Sequence, residues 1–132
     1  MDPIRRITLR LLQSAPQDIT LRLASFQFAP PTWQPPINAY RCEKGIRICV
    51  DLAGVDRKAI DLRVEPHRVV IRGERDVSGP KEPHDSAVQM LAMEIDYGPF
   101  ERTVELFDEV DVEKVHAEQT NGLLWIHLPF AS

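Results

Sequence analysis

Asn121-Gly122 limits the possible folds of this chain more than any other pair of residues. It stands between two alternating runs, residues 117–120 and 123–129. A two-residue turn of the primed type needs positive φ at both central positions, which Asn and Gly accept with least strain. The segment therefore reads as an antiparallel hairpin. The same period of two recurs from residue 37 onward. Ile46, Ile48, Val50 and Leu52 share one face, opposite Arg47, Cys49 and Asp51. Ile60, Leu62 and Val64 alternate with Asp61, Arg63 and Glu65, and Pro66-His67-Arg68 turns the chain into residues 69–75. Phe100, Arg102, Val104 and Leu106 form another face, and Leu124, Ile126 and Leu128 the last. Asp111-Val112-Glu113-Lys114 reads as a single helical turn between two strands. Short alternating strands separated by turns predict an all-β fold, an immunoglobulin-like antiparallel β-sandwich.

The first 36 residues follow different rules. Asp2-Pro3 suits an N-cap with proline at the first helical position, and Ile4, Ile7, Leu11 and Leu12 recur at helical spacing. This predicts a partly helical, amphipathic arm whose helix ends before Pro16. A second apolar group follows, with Ile19, Leu21, Leu23, Phe26 and Phe28. Pro30-Pro31-Thr32-Trp33-Gln34-Pro35-Pro36 then forms a stiff, extended linker that can join neither a helix nor a central strand. The expected organisation is an arm and linker over residues 1–36, a sandwich over 37–129 and a short tail over 130–132.

A chain of 132 residues is long enough to bury a real core, and eleven prolines argue against a helical bundle. Its charge is uneven. Residues 1–36 carry four Arg against two Asp, and the remainder carries twelve basic against eighteen acidic side chains. That acidic body is a poor partner for nucleic acid, whose phosphates call for clustered Lys and Arg. No apolar run approaches the roughly 18 residues of a membrane span. The N-terminus lacks the pattern of a secretory signal. With two cysteines, Cys42 and Cys49, the reduced cytoplasm is the expected compartment and a disulfide framework is not expected.

Little in the sequence suggests catalysis. His67, His84, His116 and His127 fall in a turn, a loop and two separate strands, without metal-ligand spacing. Asp108, Glu109, Asp111 and Glu113 lack the glycine and spaced glutamate of a calcium loop, and read as a solvated turn. No nucleophile elbow, phosphate loop or dinucleotide fingerprint is present. The expectation is no catalytic residue, no metal and no cofactor.

Three elements in order carry a resemblance to a known family. Asp51-Leu52-Ala53-Gly54-Val55 through Ile60, followed by Val69-Val70-Ile71-Arg72-Gly73-Glu74-Arg75, looks like D-x-x-G…(I)…L-x-I-x-G-E-R. Gly98-Pro99-Phe100-Glu101-Arg102 looks like G-x-F-x-R, and the final hairpin like A-x-x-x-N-G-x-L. Over residues 37–129 the chain resembles the small heat-shock protein (α-crystallin) family, bacterial type. The resemblance implies an α-crystallin domain and an ATP-independent chaperone, a holdase that binds partly unfolded client proteins and suppresses their aggregation. It also implies a strand-exchanged homodimer and possible higher oligomers. In bacterial and plant members a long insertion supplies the exchanged strand. The matching stretch here is residues 76–97, with a β-competent run over 87–95. Arg102 lies on the apolar face of its strand, near the dimer interface in the family, where Glu94 and Asp96 are its candidate partners, with Met90 and Leu91 alongside; the alternative is an arginine that reaches solvent at a sheet edge. Trp125, on the opposite face of its strand to Leu124 and Ile126, either flanks a groove or packs at a sandwich edge.

The sequence departs from the family at several points. Phe107 stands where proline is usual, Ala53 precedes Gly54 where proline is common, and Phe130-Ala131-Ser132 follow Pro129 without the family's I-x-I/V motif. That motif docks two aliphatic side chains, two residues apart, into a groove at a sheet edge, here expected among residues 60–71 and 115–128. An N-terminal I-x-L is expected in its place. Ile19-Thr20-Leu21 is the better candidate, because Ile7-Thr8-Leu9 competes with the helix reading. Three other readings share parts of this pattern. A co-chaperone of the p23/CS sandwich would lack the long loop and the final hairpin motif. A coat or vesicle-associated protein could share every motif, and an enzyme would need a concave polar site.

Overall fold

The computed structural model describes residues 5–8, 30–77, 79 and 89–132. Its strands are β1 (Arg5–Thr8), β2 (Ile37–Arg41), β3 (Gly45–Asp51), β4 (Ile60–Glu65), β5 (Arg68–Arg75), β6 (Gly98–Glu105), β7 (His116–Thr120) and β8 (Leu123–Pro129). They form two four-stranded antiparallel sheets, ordered β1-β4-β5-β6 and β2-β3-β8-β7. Among the described residues the helical pieces are two 3-10 turns, Arg57–Ala59 and Val112–Lys114. The second is the expected turn, capped by the Asp111 carboxylate, which accepts from the Glu113 backbone N–H at 3.1 Å.

Alternation places the core between the sheets. Ile46, Ile48 and Val50 of β3 pair in register with Leu128, Ile126 and Leu124 of β8. Facing them from the other sheet are Ile60, Leu62, Val64, Val69, Ile71 and Phe100, and none of these twelve is more than 8% exposed. Burying a side chain of this size contributes about 1.5–3 kcal/mol, so this interior supplies most of the driving force for folding. The hairpin that opened the sequence argument closes through Asn121 at φ 53° and Gly122 at φ 79°. Gly73 has a different task. It pairs with Phe100, and a Cβ at residue 73 would lie 2.4 Å from the Phe100 ring and 2.2 Å from the Ala59 carbonyl.

One part of the arm differs from the sequence reading. Where a helix was expected over residues 5–8, the chain forms β1, paired antiparallel with β4 so that Ile7 lies opposite Leu62 and Arg5 opposite Val64. Helical spacing was a weak signal over four residues that include β-branched Ile and Thr. An open β4 edge offers them backbone partners that an isolated turn cannot. The remainder of the expected helix lies outside the described residues. The proline-rich linker follows a sheet edge. Trp33 forms a parallel bridge to Phe100, Thr32 N–H donates to the Pro99 carbonyl at 2.9 Å, and the Trp33 indole donates to the Gly98 carbonyl at 3.0 Å. Proline offers no N–H, so such a segment can follow only the outer edge of a sheet, and β6 is that edge.

Candidate interaction surfaces

On one long side of the sandwich, β6 of one sheet and β2 of the other are joined by the linker that crosses between them. The upper part of this side is closed. The Trp33 ring packs on Phe100 at 5.2 Å between centroids, Pro35 is buried, and Arg102 donates from Nη1 to the Pro35 carbonyl at 3.4 Å. The lower part is open. Val104 is half-buried, and β2 is exposed over residues 38–41. That exposure includes Ala39, although its register partner on β3, Ile48, is fully buried. Among the described residues β2 has no strand on its outer side. At the foot of this opening Arg41 makes two hydrogen bonds to Asp108, at 2.9 and 3.2 Å, and lies 4.9 Å over the Phe130 ring. The hydrogen bond from Arg41, more than its charge, holds the Asp108 carboxyl below the usual carboxylate range.

Residues 90–97 lead into β6 at its linker end, where Met93 to Tyr97 adjoin Thr32 and Trp33, and form no strand. Met90 is 62% exposed, Leu91 90%, Met93 43%, Ile95 72% and Tyr97 43%. Their root is fixed by Arg75, whose guanidinium donates to the Asp96 carbonyl from Nε at 2.7 Å and from Nη2, donates to Ala53 O at 3.2 Å, and sits 4.2 Å over the Trp33 ring. A hollow of ≈ 400 Å³ opens between this root and the linker, lined in part by Trp33, Met93, Ile95 and Tyr97.

The sequence-predicted residues are thus only partly assembled within one chain. Arg102 is half-buried as expected, but its partner here is a backbone carbonyl; among the described residues it makes no ion pair with Glu94 or Asp96, both of which are exposed. Met90 and Leu91 face solvent. Arg75 and Trp33 were missed as organisers of this region. Arg75 ends the quoted G-E-R motif, so a signal for it was present; for the Trp33 contact there was none, because it depends on where the linker lands.

On the opposite side β7 is tied to the loop that precedes β4, with Gln119 Nε2 donating to the Val55 carbonyl at 3.0 Å. This is the expected groove region, and β1 lies along its β4 wall with Ile7 in register with Leu62. Leu9, Ile19 and Leu21 lie outside the described residues.

The outer face of the β2-β3-β8-β7 sheet carries aromatic and imidazole side chains. Trp125 is half-buried and stacks with Tyr40 at 6.2 Å, rather than standing free at a groove. His116 and His127, directly paired across β7 and β8, stack at 4.5 Å with rings 4° from parallel. Burial lowers the His127 pKa, and the neighbouring His116 and Arg47 lower it further, against a smaller opposing effect of Glu118 at 3.6 Å. Burial, followed by the charge of Asp51, raises the Cys49 thiol, which makes it a poor nucleophile at neutral pH. Among the described residues no group of three or more His, Cys, Asp or Glu is arranged to hold a metal ion, and no helix is long and apolar enough to cross a membrane.

Known proteins are similar to this chain in sequence and fold. A sequence profile for the Hsp20/alpha crystallin family matches residues 39–132. An 18 kDa heat shock protein of Streptomyces albus G is 34% identical over 107 residues, covering 78% of this chain and 72% of that protein. The 18 kDa antigen 1 of Mycobacterium avium is 31% identical over 94 residues, which are 71% of this chain but only 60% of the antigen's length. Among solved structures, hspA from Xanthomonas axonopodis superposes with a TM-score of 0.64 at 27% identity, over 75% of this chain and 95% of that one. With the sandwich, the linker-bridged β6 edge and the final hairpin all in place, this chain belongs to the Hsp20/alpha crystallin family, the small heat-shock proteins.

Proposed function

We propose that this protein is an ATP-independent holdase of the cytoplasm, which binds partly unfolded proteins and keeps them from aggregating. The observation that carries this reading is the run of exposed apolar side chains over residues 90–97, together with a β2 edge that has no strand on its outer side among the described residues. Unfolding clients expose the same two features, apolar surface and unpaired strand edges, and associate through them unless another surface intervenes. The acidic body, net −4 for the whole chain, keeps loaded complexes apart by mutual repulsion. The functional unit in this reading is a homodimer in which residues 87–95 of each copy add to the β2 edge of the other. Arg102 then gains Glu94 or Asp96 of its partner as a counter-ion. Higher assembly uses the β4–β7 groove, filled by an N-terminal I-x-L. The pairing of β1 with β4 supports Ile7-Thr8-Leu9 in that place, beside the alternative Ile19-Thr20-Leu21.

Light scattering of a heat- or reductant-denatured test protein, with and without this chain and with no nucleotide added, tests the activity. Suppression in proportion to the amount of chain is expected. Unchanged aggregation at a molar excess would rule out a holdase.

A further inference from the structure

Phe107 is 102% exposed, the most exposed of the large apolar side chains among the described residues. It stands in the loop after β6, and its position is well fixed. Leu106 N–H donates to the His67 carbonyl at 2.8 Å, Val110 N–H to the Pro66 carbonyl at 2.9 Å, and the neighbouring Asp108 is held by Arg41 at the end of β2. The loop is therefore a firm platform that presents a phenyl ring to solvent at the foot of the open β2–β6 side. A ring held out in this way gains nothing for the fold of one chain. It becomes favourable when a second surface covers it.

We infer that Phe107 is a dimer anchor, covered by the exposed apolar run, residues 90–95, of a second copy of this chain. The inference rests on the strand-exchange reading above and adds a residue to it. Geometry and charge both favour this occupant. At about 3.3 Å per residue, residues 89–95 extend over about 23 Å and the five residues of β2 over about 17 Å, so an added strand overruns β2. At the Ile37 end the linker crosses from its bridge with Phe100 of β6 into β2 and stands in the way. The overrun falls at the Arg41 end, where Phe107 stands. Whichever way the strand runs, an apolar side chain arrives: Met90 and Leu91 are at one end of the segment and Ile95 at the other. The charges also match. With Met90 and Leu91 at the Arg41 end, Glu94 falls further along the same side, where Arg102 is half-buried and without an ion pair among the described residues. An aromatic ring on a rigid loop loses little conformational freedom on burial, which suits an interface anchor.

Sedimentation of the 132-residue chain over a concentration series tests this. Four forms are compared: the unchanged chain, Phe107→Asp, Phe107→Leu and a deletion of residues 77–95. Because Phe107 contributes nothing to the core, both substitutions should leave the thermal unfolding of the dilute monomer unchanged. The deletion is expected to be monomeric. Phe107→Asp is expected to weaken dimerisation at least about tenfold, while Phe107→Leu retains it. If Phe107→Asp dimerises like the unchanged chain while the deletion does not, strand exchange stands and the anchor role of Phe107 is wrong. If the unchanged chain and the deletion both sediment as monomers, or both as dimers, the strand-exchange reading fails and the anchor with it.

Discussion

Strand β8 and residues 90–97 carry similar loads of apolar side chains but differ sharply in burial. In β8, Leu124, Ile126 and Leu128 are at most 1% exposed. Over residues 90–97 Met90, Leu91, Met93, Ile95 and Tyr97 range from 43% to 90%. Ala92, Glu94 and Asp96 make the second stretch the weaker strand former, but the surroundings differ more. β8 has neighbours on both sides, β3 and β7, and a second sheet facing it. The 90–97 run has none of these within the described residues. Apolar alternation makes a buried strand only where the same chain supplies backbone partners and an opposing face. A run without them remains available to another chain.

The largest effects should come from testing this contrast directly. Leu124→Ala opens a cavity in the interior and should cost about 2–5 kcal/mol in denaturant unfolding. Leu91→Ala, the same chemical change in the exposed run, should alter the unfolding of the dilute chain by less than about 0.5 kcal/mol. Comparable losses for the two would mean that residues 90–97 are packed within their own chain.

Arg102 lies between these two regions and sharpens the comparison. It extends from the buried face of β6 toward the open side and, in one chain, reaches only the Pro35 carbonyl. Arg102→Ala removes this tie to the linker and, in a strand-exchanged dimer, leaves Glu94 or Asp96 of the partner without its counter-ion. The expected cost is about 1–4 kcal/mol, concentrated in dimer stability. Denaturation and dissociation curves that superpose on those of the unchanged chain would place the guanidinium in solvent in both states.

What could be read from the sequence follows the same division. The core was legible because period two and turn chemistry are local signals: Ile46, Ile48 and Val50, the Asn121-Gly122 turn and the Asp111 cap all lie where their own neighbours dictate. Residues whose role depends on distant contacts were not. Asp61 was expected on the exposed face of β4, yet it is 1% exposed, flanked in register by Thr8 of β1 and Arg72 of β5. Residues 5–8 were expected to be helical because the β4 edge that receives them lies more than fifty residues away in sequence. The linker was read as stiff and extended, but its landing on β6 depends on tertiary contacts of Trp33 and Pro35. Of the candidate site, Arg102 and the exposed run were visible as types and spacings. The roles proposed for them depend on a second copy, which no local signal in one chain describes.

The smallest expected effect separates the two faces of β8 itself. Its inner face has no titratable group, whereas the outer face carries His127, stacked on His116 and facing Arg47 of β3 and Glu118 of β7. Burial is the main cause of the lowered His127 pKa, so the folded protein prefers the neutral imidazole more strongly than the unfolded chain does. As pH falls through about 6.5, the ordinary histidine value, the unfolded chain takes up the proton first, and stability must drop as acidity increases. The loss is complete once the pH lies below the folded-state pKa. His127→Gln keeps a polar side chain at this position and removes the proton uptake, so the urea midpoint of the variant should fall less between pH 7.5 and pH 5.5 than that of the unchanged chain. Contributions from carboxylates and the other histidines are common to both proteins and cancel in the difference, apart from any change in His116 itself. That residue can be isolated by repeating the comparison in a His116→Gln background, where the slope due to His127 should shrink but persist, because burial outweighs the charge of its neighbour. Equal acid sensitivity with and without His127 would mean that the outer face of β8 is as well solvated as the unfolded chain.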